Sequence, residues 1–142
     1  MINNNIVEDE TKVALYRKLV NPQLMDVLKD KILQQLVVKK KYKDPFYTAR
    51  KLADDLGTNT RYVSAVVRVH FHCNYTSLVN RYRVNEAQAM LTDSRYADLS
   101  IEEIGRIVGF AHRQSFHTAF VKFAGMAPKP YRMLANKQVK RK

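Results

Sequence analysis

Two short stretches of this 142-residue chain carry side chains suited to reading the edges of bases. One holds Arg61, Ser64, Ala65 and Arg68; the other holds Arg113, Gln114, His117, Thr118 and Val121. Arginine forks onto guanine O6 and N7, and glutamine pairs with adenine N6 and N7. Such readout needs a helix that turns these residues outward together. At 3.6 residues per turn, positions 61, 64, 65 and 68 point away from Val63 and Val67. Positions 114, 117, 118 and 121 point away from Phe116 and Phe120, with Arg113 reaching from the first turn. Polar residues on an exposed helix face are equally common with no ligand at all, so the spacing alone leaves both readings open.

Other chemistry is poorly supported. His70-x-His72-Cys73, with His112 and His117 further on, is the nearest approach to a metal motif. Zinc sites use longer, paired Cys and His spacings, and His70 falls near the apolar face of its helix as a packed histidine. There is no nucleophile elbow and no glycine-rich phosphate loop. The chain is expected to be no enzyme, with neither a metal nor a cofactor.

Charge gives the two stretches a common setting. The formal net charge is +12, and the basic excess is unevenly placed. No acid occurs between Asp55 and Glu86, a window holding Arg61, Arg68, Arg81 and Arg83. From Ile104 to the C-terminus there is again no acid, against nine basic residues. Two such windows suit two surfaces facing a polyanion, although a solvated basic face has the same composition, and charge does not separate DNA from RNA or an anionic membrane. No apolar stretch is long enough to span a bilayer, no signal peptide opens the chain, and one cysteine forms no internal disulfide. A reducing, cytoplasmic setting is expected.

The elements that would position these residues read as helices throughout. Residues 1–21 form a polar N-terminal arm with room for a short helix over Lys12–Leu19. Leu24, Leu28, Ile32, Leu33 and Leu36 keep helical spacing until Lys39-Lys40-Lys41, and Asp44-Pro45 breaks the chain. Thr48 caps a short helix, Ala49–Leu56, that stops at Gly57, and Asn59 caps the next, Thr60–Phe71. A helix from about Thr76 to Leu91, apolar on several sides, reads as a strut. Ser100-Ile-Glu-Glu103 is a capping box stapled by Leu99 and Ile104, opening a helix that ends at Gly109. Arg113–Phe123 follows, then Gly125, Pro128 and Pro130, a final turn or two at Tyr131-Arg132-Met133, and a frayed tail. The expected boundaries are an arm at 1–21, a first subdomain at 22–75, a linker helix at 76–92, a second subdomain at 93–134 and a basic tail at 135–142.

The halves repeat. Leu52-Ala53-x-x-Leu56-Gly57 recurs about 52 residues later as Ile104-Gly105-x-x-Val108-Gly109, and Val63 and Val67 align with Phe116 and Phe120. Each half is a short helix, a tight turn and a second helix. That is the outline of a helix-turn-helix, whose second helix enters the DNA major groove. A strut of about 17 residues is roughly 26 Å long, of the order of the ~34 Å in one DNA turn.

With those residues in place, the chain over Tyr42–Met133 resembles the DNA-binding domain of the AraC/XylS family of bacterial transcription regulators. The resemblance lies in Leu99-Ser-Ile-Glu-Glu-Ile-Gly-Arg-Ile-Val-Gly-Phe110, Ser115-Phe116, Phe120-Val-Lys122, Gly125-Met-Ala-Pro128 and Tyr131-Arg132. Upstream, Leu52-Ala53, Leu56-Gly57-Thr58, Val63-Ser64 and Asn80-Arg-Tyr-Arg-Val-Asn-Glu-Ala87 also fit. The resemblance implies an all-α fold of two helix-turn-helix subdomains joined by a long linker helix, reading two successive major-groove segments of double-stranded DNA. It implies base-reading roles for Arg61, Ser64, Ala65, Arg113, Gln114, His117 and Thr118. Phosphates are then held at helix starts and by Asn59, Thr60, Arg68, His112 and Lys122. Ala65 stands where the family often has arginine, so the first unit is expected to read bases weakly. His112 replaces a frequent serine, Gly105 a usual alanine and Ala127 a usual threonine. Arg83 reads as a structural residue paired with Glu86. RNA polymerase is a further partner that the resemblance permits, and a monomer or weak dimer is expected. Few residues of this sequence precede the match, and no effector pocket is expected in them. The rival reading is a non-specific DNA- or RNA-binding module, with steep salt dependence and no preferred sequence.

Overall fold

The computed structural model describes residues 21–140, with side chains through residue 137. Most of the expected N-terminal arm, with the helix expected over Lys12–Leu19, therefore lies outside the described residues, as does the end of the basic tail. Among the described residues there are seven α-helices and no strand: α1 (Pro22–Leu33), α2 (Ala49–Leu56), α3 (Thr60–Phe71), α4 (Tyr75–Leu91), α5 (Ile101–Val108), α6 (Arg113–Ala124) and α7 (Pro128–Lys140). They form two compact units. The first holds the described residues up to Lys40 with Tyr47–Leu78, and the second holds Lys41–Phe46 with the chain from Val79 onward.

Short polar side chains start the helices of the first unit. Asn21 accepts from Leu24 N, Thr48 from Lys51 N and Asn59 from Tyr62 N, each satisfying a first-turn amide that has no partner inside its helix. Helix α1 does not stop at Leu33. It widens into a π turn, Gln34–Val38, in which Lys39 N donates to Gln34 O at 3.0 Å. The chain then reverses at Lys40, whose φ is 53°. Met25, Leu28, Ile32 and Leu36 form the buried stripe of this segment, against Leu52 and Ala53 of α2 and Val63, Val66 and Val67 of α3 in one core. Leu24, expected on that stripe, is partly exposed. Tyr75 donates to the Tyr47 carbonyl at 2.6 Å, and Tyr47 donates to Asp55 at 2.6 Å, tying the start of α4 to the start and end of α2.

In the second unit, α5 opens on the expected capping box. Glu103 N donates to Ser100 Oγ at 3.0 Å while Ser100 N donates to Glu103 Oε2 at 2.8 Å. Val84, Ala87, Met90 and Leu91 of α4 pack with Ile104 and Val108 of α5 and with Phe110, Phe116, Ala119 and Phe120. The aromatic rings run in a chain. Phe110 and Phe116 have centroids 5.2 Å apart, Phe116 and Phe120 5.7 Å, and Phe120 and Tyr131 5.4 Å, the last two pairs edge to face. Gly105 admits this packing because a Cβ there would lie 2.6 Å from Phe116 Cδ2. The glycine standing in place of the family's usual alanine thus matches a ring pressed against α5.

The strap Lys41–Phe46, inside the expected first subdomain by sequence, packs within the second unit. The cause is Arg83, buried on α4, whose Nε donates to the Tyr42 carbonyl at 2.6 Å and whose Nη2 donates to the Asp44 carbonyl at 3.0 Å. Arg83 is structural, as expected, but it reaches backbone carbonyls. Glu86 takes the Tyr42 hydroxyl at 2.7 Å and Lys43 Nζ at 2.9 Å. Burial, and then the bond to Glu86, push the Tyr42 hydroxyl well above its ordinary pKa, so it stays a donor across the physiological range. At the other end, Arg132 donates to the carbonyls of Leu99 and Tyr96 at 2.8 and 2.9 Å, fastening α7 to the entry of α5. Helix α7 is longer than the turn or two expected. Pro128 is its first residue and Pro130 lies in its first turn, where no amide needs a helical partner, so both prolines are accommodated at the start of the helix.

Candidate nucleic-acid interface

Each unit presents the second helix of a helix-turn-helix. The repeated glycines end α2 and α5 in the left-handed conformation, with φ of 70° at Gly57 and 118° at Gly109, and so aim the chain into α3 and α6. Most of the aligned residues are buried in both copies, Leu52 and Ala53 with Val63 and Val67, and Ile104 and Gly105 with Phe116 and Phe120, while Leu56 is half-buried where Val108 is buried.

On α6, the residues singled out from the sequence share an exposed face. His112, Arg113, Gln114, His117, Thr118, Val121 and Lys122 are all exposed, while Phe116, Ala119 and Phe120 hold the opposite side in the core. Gln114 Nε2 lies 3.4 Å from Thr118 Oγ1 one turn on. Arg113 Nε lies 3.4 Å from Glu102 Oε1 on α5. Lys122 Nζ sits 5.3 Å from the centre of the Phe123 ring. His112 occupies the N-cap without a side-chain cap bond, unlike Asn59 on α3.

On α3, Asn59, Thr60, Arg61 and Ser64 are exposed and Arg68 is half-buried. Ala65 requires a correction. Helical spacing put it on the outer face, but it is fully buried. Helix α1 packs against α3 as well as against α2, so α3 is covered over more than its Val63, Val66 and Val67 stripe. Of the three first-unit residues expected to read bases, Arg61 and Ser64 are exposed.

Two residues not singled out by spacing, Glu102 and Lys129, lie beside this face. An open cleft of about 450 Å³ lies beside α6, lined by Glu102, Arg113, Phe116, His117 and Lys129 among others. Lys129 belongs to the acid-free C-terminal window, which was the available signal. Glu102 has none, since nothing in its spacing relates it to Arg113.

Elsewhere, His70 Nε2 faces Asp26 of α1 at 3.6 Å. Among the described residues no group of three or more His, Cys, Asp or Glu side chains is placed to hold a metal ion. No described helix is long and apolar enough to cross a membrane.

Two second helices, each set on an apolar floor with a polar, acid-free outer face, are the equipment of a helix-turn-helix DNA-binding domain. Residues 52–133 match the family described as a helix-turn-helix domain. The chain belongs to the AraC/XylS family, whose domain binds DNA in transcription regulators and is not an enzyme. The melibiose operon regulatory protein of Escherichia coli K12 is 26% identical over 95 residues, which are 67% of this chain and 30% of that protein. The chain therefore spans about 30% of the length of the curated relatives it matches. Among solved structures, the C-terminal domain of the two-component response regulator yesN from Fusobacterium nucleatum is similar, with a TM-score of 0.63 at 27% identity over 73% of this chain and 98% of that one. The C-terminal domain of AraT, a response regulator from Geobacillus stearothermophilus, shares the fold, with a TM-score of 0.65 at 23% identity over 76% of this chain and 84% of that one.

Proposed function

We propose that this chain binds double-stranded DNA sequence-specifically as a bacterial transcription regulator, with α3 and α6 reading two successive major-groove segments. The observation that carries the reading is the outer face of α6, where Arg113, Gln114, His117 and Thr118 lie together, all exposed, on a helix without an acidic residue. Arg113 and Gln114 read base edges by paired hydrogen bonds, while His117 and Thr118 make single contacts one turn on. On α3, Arg61 and Ser64 do the same over a narrower face, so more of the specificity resides in α6. Asn59, Thr60, Arg68, His112 and Lys122 hold phosphates and fix the register. The first turn after His112 suits a phosphate oxygen, since the His112 side chain does not cap its amides. The setting is cytoplasmic, the bound form is a monomer or weak dimer, and RNA polymerase is the further protein partner.

Two expected results test this by competition binding. Gln114→Ala relaxes discrimination by about 1–3 kcal/mol at one position of the site and leaves the other positions unchanged. An unaltered preference would remove α6 from the reading. Lys122→Ala weakens every sequence alike and lowers the slope of log K against log salt by about 1. A change in base preference would move Lys122 from the phosphates to the bases.

A further inference from the structure

Glu102 and Glu103 are the last acids before the basic C-terminal window, and they are used differently. Glu103 closes the capping box at the start of α5. Glu102 turns toward α6 instead, where its Oε1 lies 3.4 Å from Arg113 Nε. It also lines both clefts that flank the beginning of α6.

A carboxylate at the edge of a surface meant for a polyanion has the wrong sign for affinity, because a phosphate brought there is repelled. What it offers is geometry. The guanidinium carries five N–H donors in a planar fork. With Nε as the atom paired with Glu102, the edge left facing outward is that of Nη1 and Nη2, the one that forks end-on onto guanine O6 and N7. The Arg113 side chain is 83% exposed, so without a tether it would spread over many rotamers, including those that reach neighbouring phosphates.

We propose that Glu102 is a specificity-determining positioning residue, holding Arg113 by its Nε so that the terminal pair meets a guanine edge, and repelling phosphate from the same place. The proposal rests on the reading of α6 as a base-reading helix. Glu102 lowers affinity for DNA in general and raises the ratio between the right sequence and all others.

The test uses the whole chain and three variants: Glu102→Gln, Glu102→Asp and Arg113→Ala. Each is measured against the wild type's selected duplex and a random-sequence duplex, and each is put through selection from a random library. Glu102→Gln keeps the shape and removes the charge. It is expected to bind the random duplex about three- to tenfold tighter while losing preference at the one position that Arg113→Ala also relaxes. Glu102→Asp keeps the charge and loses the reach, so it retains weak binding to the random duplex but loses that same preference. Combining Glu102→Gln with Arg113→Ala costs no further preference. Equal tightening on both duplexes with an unchanged selection would reduce Glu102 to a bare charge and overturn the proposal alone. If Arg113→Ala leaves the selection intact, or the wild type selects nothing, the reading of α6 fails and the proposal fails with it.

Discussion

Gly109→Ala is expected to remove most of the stability of the second unit, by about 3–5 kcal/mol. At φ 118° a side chain is strained before any contact is counted, which costs about 1–3 kcal/mol. The added Cβ would also collide with the Tyr42 carbonyl oxygen and lie 2.8 Å from Arg83 Nε, the acceptor and donor of the bond that anchors the strap. Overpacking adds about 1–3 kcal/mol, and displacing the buried guanidinium from its carbonyls adds more. Gly57→Ala is the control, because φ there is 70° and nothing lies within 4 Å of an added Cβ. It pays only the left-handed conformation, about 1–2 kcal/mol. Thermal unfolding followed by circular dichroism separates the two, with a fall on the order of 15–25 °C expected for Gly109→Ala. Equal losses would mean that the close approach of Tyr42, Arg83 and Gly109 contributes nothing.

Phe120→Ala is expected to cost about 3–5 kcal/mol. Phe120 is fully buried at the middle of the aromatic chain, edge to face with Phe116 and with Tyr131. It is the floor on which the outer face of α6 rests. Phe120→Leu keeps most of the volume and is expected to lose about 1–2 kcal/mol while preserving the base preference of the folded protein. Hydrogen exchange of the α6 amides reads the effect locally. Unchanged protection in Phe120→Ala would contradict the packing described here.

Much of this architecture was legible because it is written in local chemistry. Thr48, Asn59 and Ser100 are short polar side chains just ahead of apolar periodicity, and each caps the helix expected of it. The two glycine-ended repeats lie at fixed spacing, so the paired helix-turn-helix could be read without coordinates. What escaped depends on distant partners. Ala65 is small and neutral on a helix of mixed faces, and its burial depends on tertiary packing that helical spacing does not reveal. The strap Lys41–Phe46 is claimed by a guanidinium about 40 residues away, which periodicity does not reveal. Arg132 looked like one more basic residue, yet it is spent on the carbonyls of Leu99 and Tyr96. The outer face of α6 was legible as a row of exposed residues, while the ion pair between Glu102 and Arg113 was not, because it joins two helices across a turn.

Selection of the wild-type chain on a random double-stranded DNA library, at about 0.15 M salt where bare electrostatic attraction is damped, tests the central claim most directly. The expected result is an enriched asymmetric site of two short blocks about one DNA turn apart, the stronger block containing the guanine and adenine that suit Arg113 and Gln114. Binding without enrichment of any sequence would contradict it and leave a non-specific module held to DNA by charge alone.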